Sequence, residues 1–172
     1  MAPSIVFEKP VDDHADDLYR SGGVPEALGG WDSWGEAARD RYDRDGFLVV
    51  RNAVPPELWR AALAELKSMA RSSDPACATV AYEGALRPLL EQQLGAPLDE
   101  ADEASRTAAI ERIDPDERAR LVRKFMGFTR THEVLREVAN PAPLRNAIEE
   151  IAGEKTRLFQ SMALVKPPGG RE

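Results

Sequence analysis

Residues 41–58 read RYDRDGFLVVRNAVPPEL, and most of the fold can be worked outward from this stretch. Its first residues close a helix. Ser33 and Glu36 stand upstream at capping-box spacing, with Ala37, Ala38 and Tyr42 behind them. Gly46 falls where a left-handed residue ends a helix. Phe47-Leu48-Val49-Val50 is short, apolar and β-branched toward its end, which predicts a buried strand. Asn52 and Pro55-Pro56 stop that strand, and a proline in the first turn opens the next helix. There Leu58, Trp59, Ala62, Leu63, Leu66, Met69 and Ala70 recur at i, i+3, i+4 intervals, the stripe of a helix with one face against a core. Phe47 and Trp59 are assigned to that core.

Downstream, Ser72-Ser73-Asp74-Pro75 breaks the helix. Residues 80–94 read as a second helical stretch, with Leu86, Leu89, Leu90 and Leu94 as its apolar positions. Pro88 splits it and Gly95 closes it. Residues 99–111 are rich in acid and alanine and predict an exposed helix. Asp114-Pro115-Asp116-Glu117 combines a cap, a proline and an early acid, so a helix starts there, with Gly127 as its end. Shorter helices follow over 132–138 and around Leu144, Ile148 and Ile151, the latter closed by Gly153.

Residues 157–166 differ. They predict an extended strand with Leu158, Gln160, Met162, Leu164 and Lys166 on one face and Arg157, Phe159, Ser161, Ala163 and Val165 on the other. An amide, a thioether and an ammonium sharing a face with two leucines is unusual for plain core. Pro167-Pro168-Gly169-Gly170 then turns the chain. The strand's edges need partners, and only one other strand, 47–50, is convincing. Residues 1–35, with Asp12, Asp13, Asp16, Asp17 and five glycines, predict a disordered or loosely docked tail that Trp31 and Trp34 pin to the domain.

The chain has 172 residues, with 23 basic and 30 acidic side chains, a net charge of −7. With no dense basic block, nucleic acid is not an expected partner. No run approaches the roughly 18 apolar residues of a membrane span, so no membrane is expected either. The first ten residues lack the charged and apolar regions of a signal peptide, and the single cysteine, Cys77, forms no internal disulfide. Both point to a cytoplasmic protein.

Local motifs assemble no active site. His14-Ala15-Asp16 has the spelling of half an iron triad but lies in the acidic tail. His132 stands at a helix start, where a surface or capping role is expected. With His14 set aside, no two-histidine metal site can be built, and no catalytic residue is assigned. The glycine pairs lack the strand-to-helix setting of a phosphate loop.

The ordered elements resemble the phytanoyl-CoA dioxygenase family. Tyr42, Asp45, Gly46 and Phe47, with the apolar residues and helix that follow, match that family's opening. Residues 159–172, FQSMALVKPPGGRE, match its strand and Lys-Pro-Pro turn. The resemblance spans about residues 38–172. It implies an α+β fold in which a helical N-terminal layer leads into the first strands of a double-stranded β-helix, or jelly roll, incomplete in this chain. It makes residues 36–172 the N-terminal part of such a domain, ending just before the family's His-x-Asp iron motif.

By the same resemblance, the activity is Fe(II)- and 2-oxoglutarate-dependent oxidation of a small organic or acyl substrate, with the metal ligands outside this chain. Lys124 and Met162 fall at positions that touch 2-oxoglutarate, and Gln160 and Lys166 at positions toward the substrate. Two alternatives stand beside hydroxylation. One is an iron- and 2-oxoglutarate-dependent halogenase of the same fold, and the other is a non-catalytic helical interaction module. The oligomeric state is left open.

Overall fold

The computed structural model describes residues 4–7 and 26–166. The architecture is α+β. Strands β1 (Ser4–Phe7), β4 (Thr79–Tyr82), β5 (Val122–Met126) and β6 (Met162–Leu164) form one sheet in that order, and β2 (Ala27–Leu28) and β3 (Val49–Val50) form a two-stranded parallel pair. The helices are α1 (Glu36–Asp45), α2 (Pro56–Arg71), α3 (Leu86–Leu94), α4 (Glu103–Arg112), α5 (Pro115–Leu121), α6 (Glu133–Ala139) and α7 (Ala142–Ala152). In the larger sheet β1 runs parallel to β4, while β5 is antiparallel to both β4 and β6.

One apolar cluster joins the sheet to the helices. Val80, Tyr82 and Phe125 come from the strands, and Met69, Leu86, Leu90, Ile110 and Leu135 come from α2, α3, α4 and α6. Ala163 and Val165 complete it from the β6 side. The helices therefore cover one face of the sheet. Removing these side chains from water is the main force holding the two layers together.

Several sequence expectations hold. Gly46 and Gly153 adopt φ of +77° and +72° at the ends of α1 and α7. Helix α2 forms where its stripe predicts and buries Ala62, Met69 and Ala70 of it, while Leu63 is left 43% exposed. The Asp114 carboxylate accepts from the Asp116 and Glu117 N–H groups at 3.0 Å each, capping α5 above Pro115. Trp31 Nε1 donates to the Ala53 carbonyl at 2.9 Å and Trp34 Nε1 to Glu150 Oε2 at 2.7 Å, so both tryptophans do tie their segment down.

Others need correction. The stretch 80–94 is not all helix: Thr79–Tyr82 is a strand, and Leu86–Leu94 is the helix, with Pro88 in its first turn. The Asp114 helix stops at Leu121, and Val122–Met126 runs on as β5 before Gly127. Each strand is apolar over too few residues for its period to separate strand from buried helix. Ser33 does not cap α1; Gly35 holds that position, and Ser33 closes a short 3-10 turn. The acidic stretch is not one helix: a 3-10 turn over Leu98–Glu100 is followed by α4, Glu103–Arg112, capped by Asp102. The strand predicted over 157–166 is confined to Met162–Leu164. Phe47 and Trp59 are 52% and 45% exposed, so neither is core. The expectation of a loose N-terminal tail meets an ordered strand at Ser4–Phe7, hydrogen-bonded to β4.

Candidate functional site

Registers decide which side chains share a face. Val6, Ala81, Lys124 and Leu164 form one cross-strand row, and Ser4, Thr79, Met126 and Met162 form the next. Both rows lie on the face opposite Val80, Phe125 and Ala163, away from the helices. This face is mixed: Ala81 on it is fully buried, Ser4, Thr79 and Lys124 are polar, and its apolar side chains toward the sheet edges are exposed. Val6 is 44% exposed, Met162 51% and Leu164 63%, while Met126 and Lys124 are half-buried.

Lys124 and Met162 thus come together. Lys124 is directly opposite Leu164, and Met126 directly opposite Met162, so Lys124 and Met162 are diagonal neighbours. Exposure alternates from Gln160 to Lys166, with Ser161, Ala163 and Val165 turned toward the helices. Gln160 and Lys166 are exposed at either end of β6, beyond the strand itself. Sequence reasoning missed Met126 and Val6. Met126 was hidden because 122–126 was read as helix, as the i, i+3 spacing of the apolar Val122 and Phe125 suggests, and the strand breaks its two-residue period at an irregularity in the β4–β5 pairing.

Chemically, the face sets the Lys124 ammonium beside the apolar side chains of Met126, Met162 and Leu164. That combination suits a ligand with a carboxylate at one end and a hydrocarbon body. Next to it, Arg123 Nη1 pairs with Glu83 Oε1 at 3.4 Å. No group of three or more His, Cys, Asp or Glu side chains among the described residues is placed to hold a metal. His14 and Asp16 and the Pro167-Pro168-Gly169-Gly170 turn lie outside the described residues.

His132 is neither a surface residue nor a side-chain cap. It occupies the position before α6, and its ring bridges two other segments. Nε2 donates to the Pro75 carbonyl at 2.8 Å, and Nδ1 lies 2.6 Å from Glu65 Oε1. It joins α2 to the loop leading into β4, which is a structural role.

Cys77 is buried, and its thiol bonds to the Thr79 carbonyl at 3.4 Å. Burial pushes this thiol from 9.0 up to about 11, against the lowering effect of the Thr79 and Met126 backbone bonds. Burial likewise pushes the Tyr82 phenol from 10.0 to about 12, with the Arg118 guanidinium pulling the other way. Both groups are neutral when protonated, and the unfolded chain gives up these protons first. Stability is therefore full below pH 9 and falls as pH rises from 9 toward 11, by at most about 3 kcal/mol for the thiol. Urea midpoints measured at pH 8 to 10.5 should show this fall, and Cys77→Ala should flatten its first part. A midpoint independent of pH in the unmodified chain contradicts it.

No protein-family model matches the chain, and neither a curated protein nor a solved structure shows significant similarity to it. No helix among the described residues is long and apolar enough to cross a membrane.

Proposed function

We propose that this chain supplies the helical layer and one wall of a jelly-roll oxygenase of the phytanoyl-CoA dioxygenase kind. Such an enzyme is Fe(II)- and 2-oxoglutarate-dependent and oxidises a small organic or acyl substrate. One observation carries the reading. Lys124 and Met162, far apart in sequence, sit on adjacent strands and on the same face of the sheet. A second sheet standing over that face would enclose them.

In this reading the Lys124 ammonium donates to a carboxylate of 2-oxoglutarate, and the Met162 thioether packs against its carbon chain. Gln160 and Lys166 extend the same face toward the substrate. The iron does not fit the described residues, because they contain no cluster able to ligate it. No step is therefore assigned to a metal. That same lack of a cluster favours a second reading, in which the chain is a non-catalytic interaction module and this face of the sheet binds another protein.

A titration separates the two. With methionine methyl groups labelled for NMR, 2-oxoglutarate should shift Met162 and Met126 saturably and leave the buried Met69 unmoved. Lys124→Ala should abolish the saturation. Absence of any shift at millimolar 2-oxoglutarate, or identical titration of the Lys124 variant, overturns the oxygenase reading.

A further inference from the structure

The hydrogen-bonding pattern of β6 leaves one side of the strand to a partner. Gly127 N–H donates to the Ser161 carbonyl at 3.0 Å, and Val165 N–H donates to the Arg123 carbonyl at 2.7 Å. Phe125 lies opposite Ala163 between these two bonds. Residues 161, 163 and 165 therefore turn their peptide groups toward β5, and Met162 and Leu164 turn theirs the other way. β6 ends the sheet, so these two N–H and two C=O groups meet no strand among the described residues.

We propose that this edge pairs with the same edge of a second copy of the chain, antiparallel, about a two-fold axis at Ala163. In that register Met162 faces the second copy's Leu164, and the reverse. Both are outward-directed positions, so each pair exchanges two N–H···O=C bonds, and all four groups on each copy are satisfied reciprocally. The side chains agree. Met162 and Leu164 share one face and meet each other. Ala163 meets itself at the close-approach position, where a methyl group fits. Lys166 faces Gln160 and Ser161 faces Val165, so no like charges oppose. The strand itself, Met-Ala-Leu, carries no lysine, proline or bulge of the kind that blunts an edge; Lys166 and Pro167 come only after it. An unrelated strand could satisfy the backbone equally; it is the side-chain register that selects the chain's own copy. The inference concerns the edge of the sheet rather than its face, and does not depend on 2-oxoglutarate binding.

Sedimentation equilibrium over a concentration series tests it. The mass should rise from 19.0 kDa toward twice that value. Amide exchange at Met162 and Leu164 should be slow at high concentration and fast on dilution, while Ala163, bonded to β5, stays slow throughout. Leu164→Pro removes an outward N–H and leaves the bonds to β5, so it should remain monomeric with unchanged helical circular dichroism. A monomer at every concentration overturns the proposal, and so does a folded Leu164→Pro chain that dimerises as tightly. If that variant does not fold, exchange in the unmodified chain decides: rates at Met162 and Leu164 that ignore concentration overturn it.

Discussion

An Arg118→Ala chain is expected to lose about 3–5 kcal/mol of stability, a large share of the roughly 5–15 kcal/mol that holds a typical domain folded. Arg118 is only 4% exposed. Its Nη1 donates to the Ile110 carbonyl at 2.7 Å and more weakly to Ile113 at 3.5 Å, and its Nη2 donates to the Arg71 carbonyl. Those carbonyls stand at the C-terminal ends of α4 and α2, where the helix dipole is negative and the last peptide oxygens run short of helical donors, although Ile110 also accepts from the Ile113 N–H. One guanidinium thus closes two helices from the first turns of a third. Truncation takes the donor from the Arg71 carbonyl and one of two donors from the Ile110 carbonyl, which still accepts from the Ile113 N–H at 3.1 Å, and it leaves a void in the layer that backs the sheet. The Nε has no partner, so the residue does not recover all of its desolvation cost. Arg118→Met keeps most of the volume and deletes the charge, so it should cost clearly less than Ala. Urea unfolding followed by far-ultraviolet circular dichroism measures both. A loss under 1 kcal/mol for Ala would show that water replaces the guanidinium without penalty.

The second large effect is at Gly127. Its φ of +71° lies in the left-handed region, and a Cβ placed on it would stand 2.6 Å from the Ala78 Cβ, with Ala78 N and Cα at 3.5 and 3.6 Å. That contact has no flexible end to swing away, so the backbone of β5 or of the loop before β4 must move. Gly127→Ala should cost about 2–4 kcal/mol, combining the left-handed penalty with overpacking. Gly153→Ala is the control. Gly153 has φ +72° with open space around it, so only the conformational penalty of about 1–2 kcal/mol applies. The difference between the two variants isolates the steric contact. Because Gly127 N–H also holds Ser161, the variant should further speed amide exchange at Ala163 and loosen β6. Equal losses at both glycines would remove the steric account.

Both residues show where sequence reading ends. Nothing local to Arg118 says that α2 and α4 end beside it. Gly127 was read as a helix end. It is in fact left-handed, as that role requires, but it follows a strand.

What the sequence determined alone is whatever depends on neighbours a few residues away. The α2 stripe, the Asp114-Pro115 start of α5, the left-handed glycines at 46 and 153, and the two-residue alternation through 160–166 all follow from local sterics and hydrogen bonds. Tertiary structure alone decided the rest. Thr79–Tyr82 and Val122–Met126 are strands because each supplies the other's peptide partners across the intervening helices, a pairing that no short window contains. That pairing, with β6 added, sets the register that brings Lys124 beside Leu164 and Met162. It also decides that the helices cover one face of the sheet, so that Phe125 is buried while Met162, alike in hydrophobicity, is left in the open. Apolar character is a property of the residue, but burial depends on what the chain brings against it.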